Sequence, residues 1–409
     1  MLKFINVCML ESIRTYFSNE HGEIHYHFYI ALFILALVST YLFTMVLIKL
    51  SSRFGLLDKP DQRRIHQRAV PKLGGLAIFL SMALTFCVAA LLHPAVAVDL
   101  LDPKSIAIFV GITVMLLLGI YDDLFQASWM WKFTIQIVAA CFVISKGLVI
   151  MEITNPFGST IKFYPLLGFV FTIVWLIGIT NAVNLSDGLD GLSTGIVLIV
   201  AAVTFANSLY LTQTRPEQSE LFIFATVTSI TLIGASVAFL RFNFYPAKIF
   251  LGDTGSLFLG FLIACIAVRS SQLSTTTFAF VVPVIALGLP ILDTVLAFLR
   301  RTAKRRNPFQ ADLQHIHHKM IESGLSHPET VLVLYAFCVL LGLAALVLAL
   351  KKNEYAGIVL FVLTIVTLIG FKKFGILDIT RLWGIHNPPE KSAHKKSGNH
   401  SSSSKGPSA

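Results

Sequence analysis

The sequence predicts an all-α, polytopic membrane protein. Of its 409 residues, 55% are hydrophobic and only 13% are Asp, Glu, Lys or Arg, whereas a soluble domain contains about 25% charged residues. The apolar residues form runs of helical length and not the alternating segments of about ten residues that build an outer-membrane barrel. These features exclude a soluble globular domain, a disordered chain and a disulfide-dense secreted scaffold.

About eleven segments are apolar enough to cross a bilayer, since a spanning helix needs about 20 such residues. In chain order they are 28–50, 73–92, 105–121, 133–150, 165–183, 191–211, 221–240, 249–268, 277–299, 329–350 and 356–371. They define one integral membrane domain over residues 28–371. Residues 1–27 are predicted as an N-terminal extension. Residues 372–409 are predicted as a cytoplasmic tail that is disordered from about residue 386, because Ser, Lys and Pro are frequent there.

Lys and Arg are distributed unequally between the two sides of this topology. With the N-terminus outside, the inner loops and the C-terminal tail carry nearly three times as many basic residues as the outer segments. The positive-inside rule therefore predicts an external N-terminus and a cytoplasmic C-terminus. The net charge of +10 then reflects orientation and anionic substrates, and no nucleic-acid partner is predicted.

Acidic residues gather near helix ends on the predicted cytoplasmic side, which suits a reaction centre that is supplied from the cytoplasm. Asp122 and Asp123 close the third segment in GIYDDLF. Adjacent carboxylates near a low-dielectric region repel each other unless a cation lies between them. The pair is therefore either a water-exposed cap at the membrane interface, or a cation site or base for a phosphate-bearing substrate.

Two further acidic motifs follow. NAVNLSDGLDGLSTG interrupts an apolar helix with Asn184, Asp187 and Asp190, and their three-residue spacing would place them on one face of a helical turn. Hard oxygen ligands beside glycines suit Mg²⁺ and phosphate, and a loop of turn-forming Asp-Gly steps is the alternative. In FLGDTGSLFLG, Asp253 stands where the eighth segment begins, as a helix N-cap or as another hard ligand at the helix mouth.

The loop 300–328 is rich in Arg, Lys and His. Its basic run, which includes Arg301, suits orientation and contact with anionic membrane lipids. A DxxHxHH cluster follows and contains Asp312, His315, His317 and His318. A zinc site and a solvated surface loop are alternatives, but imidazoles and Arg that converge on a diphosphate are favoured.

The first predicted cytoplasmic loop, GLLDKPDQRRIHQRAVPKLGG over residues 55–75, ends immediately before a span. Orientation alone accounts for its positive charge. It does not account for the terminal PKLGG, in which Lys72 and the two glycines also suit contact with a phosphate group.

Together these motifs resemble those of the polyprenyl-phosphate N-acetylhexosamine-1-phosphate transferases. Six motifs occur in the family's order between about residues 55 and 320: DKPDQRRIHQRAVPKLGG, GIYDDL, NAVNLSDGLDGL, FLGDTGSLFLG, PILDT and DLQHIHH. The HIHH form is similar to the WecA-like branch, which includes the teichoic-acid TagO enzymes. The more distant MraY branch typically has a run of three His followed by Phe-Glu. The predicted number of spans agrees with the resemblance.

The resemblance implies that UDP-GlcNAc donates GlcNAc-1-phosphate to undecaprenyl phosphate, which gives undecaprenyl-diphospho-GlcNAc and UMP. The enzyme would lie in the bacterial inner membrane with its active site facing the cytoplasm, and would initiate O-antigen, enterobacterial common antigen or teichoic-acid synthesis. Mg²⁺ is implied, with Mn²⁺ as a substitute, and with Asn184 and Asp253 as metal ligands. Asp122 and Asp123 would position or deprotonate the lipid phosphate.

The resemblance also implies the substrate contacts. Asp187 and Asp190 would bind the nucleotide or organise the centre, and Lys72 would contact phosphate. The sugar diphosphate would be held by Arg301, Asp312, His315, His317 and His318. A homodimer is compatible with the resemblance.

Two other functions are less consistent with the sequence. A transporter of lipid-linked sugars predicts polar groups near mid-span and a two-fold internal repeat, and neither is visible in the sequence. A non-catalytic membrane scaffold gives no reason for separate acidic motifs on one side. Within the enzyme class, another UDP-HexNAc or UDP-MurNAc-pentapeptide is the alternative donor.

Overall fold

The computed structural model describes residues 24–58, 69–153, 161–273, 281–303 and 315–350. In chain order its α-helices are α1 (Tyr26–Phe54), α2 (Gly74–Leu92), α3 (Pro94–Leu100), α4 (Pro103–Phe125), α5 (Trp129–Ser145), α6 (Pro165–Leu185), α7 (Leu192–Thr214), α8 (Ile223–Asn243), α9 (Gly252–Leu273), α10 (Val281–Ala286), α11 (Gly288–Ala303), α12 (Ile316–Glu322) and α13 (His327–Leu350). Short 3-10 turns at Ser186–Gly188 and Pro216–Phe222 lie before α7 and α8. Two antiparallel pairs join β1 (Leu57–Asp58) to β2 (Val70–Pro71) and β3 (Glu152–Ile153) to β4 (Ile161–Lys162).

Eight helices within the described residues are long and apolar enough to cross a membrane, as a polytopic membrane protein requires. They match the predicted spans 28–50, 73–92, 105–121, 165–183, 191–211, 221–240, 249–268 and 329–350. The predicted span 133–150 corresponds to α5, an apolar helix of 17 residues, which is about 26 Å long.

The predicted continuous span 277–299 is broken in the structure. A turn at Leu287 separates α10 from α11, directly before Gly288 and Pro290. Glycine and proline both weaken a continuous helical hydrogen-bond ladder, which accounts for the break. The predicted span 356–371, the tail and most of the N-terminal extension lie outside the described residues. The total of eleven spans and the orientation therefore stay predictions.

Helix α9 is the central element of the bundle. Every residue from 257 to 268 is buried, and the helix packs against α2, α4 and α6. A helix that is apolar on all sides is expected in such an enclosed place. The outer helix α1 instead leaves Ile30, Ile34 and Val38 exposed at four-residue spacing, so that one apolar face points outward, as a lipid-facing helix requires.

The two ends of α9 are fixed by polar contacts. At its C-terminal end, Arg269 forms an ion pair of 2.5 Å with Asp99 in α3, and its guanidinium lies 4.4 Å from the ring centroid of Phe224. Burial raises the pKa of Asp99 to about 6, although the charge of Arg269 opposes this effect. The N-terminal end of α9 lies at the opposite end of the bundle, where the acidic motifs meet.

Helix caps determine where the neighbouring helices begin. The side chain of Asp102 accepts a hydrogen bond of 3.0 Å from the Lys104 N–H, and Pro103 occupies the first position of α4. Ser128 caps α5 in the same manner. A turn of residues 126–128 joins α4 to α5, so the end of one helix and the start of the next lie side by side.

Candidate active site

Asp123, at the end of α4, caps the N-terminus of α9. Its carboxylate accepts hydrogen bonds from the Asp253 N–H at 3.2 Å, the Thr254 N–H at 2.9 Å and the Thr254 hydroxyl at 2.6 Å. Gly252 adopts a φ of +74°, and a Cβ there would lie 2.5 Å from a carboxylate oxygen of Asp123, so only glycine fits. A negative charge also suits the positive end of the helix dipole. Asp123 thereby fixes where α9, and with it Asp253, begins.

The backbone of Asp253 takes part in that cap, whereas its side chain contacts two other helices. Lys132 Nζ lies 2.8 Å from Asp253 Oδ2 and also contacts Asp122 Oδ2. Asn184 donates from Nδ2 to Asp253 Oδ1 at 2.9 Å and to Ser256 Oγ at 2.8 Å. We call Asp122, Asp123, Lys132, Asn184 and Asp253 the acid–lysine centre. It gathers the ends of α4 and α6 and the starts of α5 and α9.

The PKLGG motif supports this centre through its backbone. Residues 71–75 run beside residues 250–251, to which they are joined by three backbone hydrogen bonds of 2.9–3.0 Å. Gly75 passes so close to the backbone of Gly255 that no Cβ could be accommodated at either residue without displacement. The glycines therefore allow the backbones of α2 and α9 to approach closely where the two helices cross. Lys72 lies in the same segment and is half-buried.

The prediction that Asn184, Asp187 and Asp190 share one helical face is wrong. Helix α6 ends at Leu185, Asp187 lies in the following 3-10 turn, and Asp190 comes after an extended residue. The Asp-Gly steps favour turns over continued helix, which explains the difference. Asp190 Oδ2 accepts a hydrogen bond of 3.0 Å from the Ala247 N–H and so attaches this turn to the segment before α9.

Asp187 nevertheless faces the centre. Burial raises its pKa well above the usual value, and the negative charges of Asp253 and Asp123 add to this effect. A hydrogen bond with the Gly252 backbone opposes the shift only in part. The carboxylates of Asp253 and Asp123 therefore lie near enough to Asp187 to disfavour its ionised form.

The charge of this region favours a bound cation. Asp122, Asp123, Asp187 and Asp253 supply carboxylates, and Lys132 brings one positive charge to them. Carboxylate and amide oxygens are the ligands that Mg²⁺ prefers, so the donor chemistry of Asp253 and Asn184 fits that ion. Within the described parts of the chain, no three acidic, His or Cys side chains already converge as metal ligands. As placed, the Lys132 ammonium lies between Asp122 and Asp253.

A second polar cluster surrounds the start of α12, and we call residues 315–318 the histidine loop. Asp293 of α11 holds it with both oxygens: Oδ2 lies 3.0 Å from His315 Nδ1, and Oδ1 accepts a 3.0 Å hydrogen bond from the Ile316 N–H. His315 and Asp293 are both buried. Asp312, which was predicted to belong to this group, lies outside the described residues.

The histidine loop adjoins the Asp187 turn through His317. Its ring stacks in parallel on that of His315, with 5.6 Å between centroids, and its Nε2 faces Gly188, where an added Cβ would lie 2.7 Å away. Burial, and then the neighbouring His318, lower the pKa of His317 to about 3, so the ring is neutral near pH 7. His318 and Arg301 are half-buried, which leaves part of each side chain accessible to an anion.

Three polar residues that contact the predicted site residues, Lys132, Asp293 and Ser256, are not themselves among those predictions. A lysine near the start of an otherwise apolar helix is a signal that could have indicated Lys132, and Asp293 lies within the motif PILDT. Their contacts join residues distant in sequence, 121 positions apart for Lys132 and Asp253, which spacing along the chain does not reveal.

Comparisons with known proteins agree with the motifs. Residues 105–271 match the profile of the family described as Glycosyl transferase family 4. A protein of Bacillus subtilis (strain 168), named "Probable undecaprenyl-phosphate N-acetylglucosaminyl 1-phosphate transferase", is 34% identical over 81% of this chain and 88% of its own length. The "Decaprenyl-phosphate N-acetylglucosaminephosphotransferase" of Mycolicibacterium smegmatis is 30% identical over 83% of this chain and 88% of its own length.

A more distant relative covers a similar share of the chain. The "Undecaprenyl-phosphate alpha-N-acetylglucosaminyl 1-phosphate transferase" of Escherichia coli (strain K12) is 27% identical over 85% of this chain and 91% of its own length. The alignments thus extend well beyond residues 105–271.

Proposed function

The chain belongs to glycosyl transferase family 4, among the polyprenyl-phosphate N-acetylglucosaminyl 1-phosphate transferases, and from this membership we propose its reaction. It transfers GlcNAc-1-phosphate from UDP-GlcNAc to undecaprenyl phosphate, and the products are undecaprenyl-diphospho-GlcNAc and UMP. The reaction takes place at the cytoplasmic face of the bacterial inner membrane and begins the synthesis of a cell-envelope polysaccharide.

The acid–lysine centre is the observation that carries this proposal. Its side chains come from the ends of four helices, so they lie at one end of the bundle and not at mid-span. A lipid phosphate lies at a comparable depth when its polyprenyl chain is embedded in the bilayer. The acceptor can therefore meet a water-soluble nucleotide sugar there without leaving the membrane.

Charge neutralisation is the main task of the centre. An oxygen of the lipid phosphate attacks the β-phosphorus of UDP-GlcNAc, and the bond from that phosphorus to the UMP oxygen breaks. A phosphate monoester has its second pKa near about 6, so the acceptor is largely ionised near pH 7 and needs little help from a base. The Lys132 ammonium instead reduces the negative charge that Asp122 and Asp253 present to the two approaching anions and stabilises the transferring phosphoryl group.

Mg²⁺ is part of the proposal, and Asn184 and Asp253 are the residues that would hold it. When bound, the ion supplies Lewis-acid stabilisation of negative charge on phosphate oxygens. Asp123 keeps Asp253 in place by capping α9, and Asp122 shares Lys132 with it. Mn²⁺ offers the same preference for oxygen ligands and is proposed as a substitute.

The histidine loop is the proposed binding site for the sugar diphosphate. His318 and Arg301 retain accessible surface and carry donors that suit phosphate oxygens. His317 contributes as a neutral ring against Gly188, which ties the loop to the turn that bears Asp187. Asp187 and Asp190 lie with their turn between the two clusters and are proposed to organise the nucleotide end of the substrate.

The proposal is tested by measuring UMP release from purified protein in detergent with undecaprenyl phosphate and Mg²⁺. UDP-GlcNAc, UDP-GalNAc and UDP-MurNAc-pentapeptide are offered separately, with and without EDTA. We expect metal-dependent UMP release with UDP-GlcNAc alone. Release from another donor would keep the chemistry and refute the choice of sugar, and no release from any donor by folded protein would refute the enzyme.

A further inference from the structure

The buried carboxylate of Asp293 uses both of its oxygens on the histidine loop. One oxygen lies 3.0 Å from His315 Nδ1, and the other accepts from the Ile316 N–H at 3.0 Å. Asp293 is 7% exposed and His315 is 4% exposed. Burying a carboxylate is costly unless it is hydrogen-bonded, so this pair of contacts determines where the loop can lie relative to α11.

The contact also selects one form of the imidazole. An ionised carboxylate only accepts hydrogen bonds, so the proton of the neutral ring must be on Nδ1. Nε2 then carries no proton and can only accept a hydrogen bond from a ligand. The second oxygen caps the first N–H group of α12, which prevents the backbone that carries the ring from shifting.

We propose that Asp293 is a positioning residue of the transfer reaction, which holds His315 in one orientation and one tautomer so that its unprotonated Nε2 can accept a hydrogen bond from a hydroxyl or amide N–H group of the sugar in UDP-GlcNAc. This inference rests on the proposed function. Asp293 does not touch the substrate and acts through His315. The parallel stack of His315 on His317, and the contact of His317 with Gly188, carry the same constraint to the turn that bears Asp187.

Steady-state kinetics with separate variation of the two substrates tests the proposal. The variants are Asp293→Asn, His315→Ala and the double variant. Thr294→Ala is a control on the same helix, because the Thr294 hydroxyl donates to the Pro290 carbonyl of its own turn. We expect Asp293→Asn to raise the KM for UDP-GlcNAc by about 10- to 100-fold, the range that is typical when the partner that orients a metal-bound histidine is replaced.

The KM for undecaprenyl phosphate should stay within about two-fold of the wild-type value, since a positioning role at this loop concerns only the donor. The double variant should be no worse than His315→Ala, because Asp293 has no ring to orient once the imidazole is gone. Thr294→Ala should match the wild type. A rise in both KM values together, or additive losses in the double variant, would overturn the proposal.

Asp293→Asn separates the form of the ring from the helix cap, since the amide Oδ1 can still accept from the Ile316 N–H whereas Nδ2 can donate only to a ring nitrogen that carries no proton. Asp293→Ala removes both contacts. We expect Asp293→Asn to retain its melting temperature better than Asp293→Ala and both variants to show the increase in the KM for UDP-GlcNAc. If neither variant gives folded protein, the role of Asp293 is structural and the proposal falls. If the wild type itself releases no UMP, the proposed function fails first, whereas wild-type kinetics in Asp293→Asn refute only this inference.

Discussion

Replacing Lys132 by methionine removes the ammonium group that contacts both Asp122 and Asp253 and retains an unbranched side chain. In the wild type this group lies 2.8 Å from Asp253 Oδ2 and also contacts Asp122 Oδ2. Without it, the two carboxylates face each other and the approaching phosphates with no intervening positive charge from α5.

The size of the effect follows from the geometry. Two unit charges about 4 Å apart interact by about 4 kcal/mol at an effective dielectric constant of about 20. The side chains of Lys132 and Asp253 are 27% and 26% exposed, and solvent screening reduces that value. We expect the ammonium to act on the transferring phosphoryl group over a comparable distance, so its removal should cost about 2 to 3 kcal/mol of transition-state stabilisation, which corresponds to a decrease in kcat/KM of about 30- to 160-fold.

The measurement is UMP release from UDP-GlcNAc and undecaprenyl phosphate, with Lys146→Met as the matched control. Lys146 lies at the other end of the same helix and is exposed, so its variant should retain wild-type kinetics. The melting temperature of Lys132→Met should also depend more strongly on Mg²⁺ than that of the wild type, because the carboxylates lack their internal counter-ion. Full turnover in Lys132→Met would refute the assignment of charge neutralisation to this lysine.

Three further predictions concern the acid, the histidine and the glycine contacts. Asp253→Asn should abolish UMP release and leave membrane insertion intact, and unchanged turnover at saturating Mg²⁺ would remove Asp253 from the metal site. Burial lowers the pKa of His317 from 6.5 to about 3. Acidification from about pH 7 to about pH 5 therefore protonates this ring in the unfolded chain but not in the folded protein. The wild type should therefore lose about 2 kcal/mol of stability relative to His317→Gln over that range, as measured by thermal melting in detergent, and parallel pH profiles would contradict the burial of the ring. Gly119→Ala places a Cβ against the backbone of Asp253 and should lower the free energy of unfolding by about 1 to 3 kcal/mol. Gly178→Ala is the control, because its Cβ meets open space. Equal melting temperatures of the two variants would show that the contact between α4 and α9 adjusts to the added methyl group.

Motif order and hydrophobicity were sufficient to predict much of the molecule. Eight of the predicted spans correspond to helices of suitable length and composition, because a run of about 20 apolar residues has few alternatives to a membrane helix. The acidic motifs also indicated which helix ends would meet, since carboxylates avoid mid-span positions. Apolar composition does not predict the break between α10 and α11, because residues 277–299 form one apolar segment in which Gly288 and Pro290 are the local signals of an interruption.

The sequence by itself determined the class of the protein, the approximate positions of its long apolar helices and the residue types that gather at one end of them, because these depend on local composition and on short motifs. The tertiary structure decided which group contacts which. Asp123 accepts a hydrogen bond from the N–H of Asp253, 130 positions away, Lys132 joins Asp122 to Asp253, and Asp293 contacts His315. Such contacts form when separate helices pack, because a buried charge is stable only beside a partner that lies close to it in space. The order of residues along the chain does not show which groups will be close.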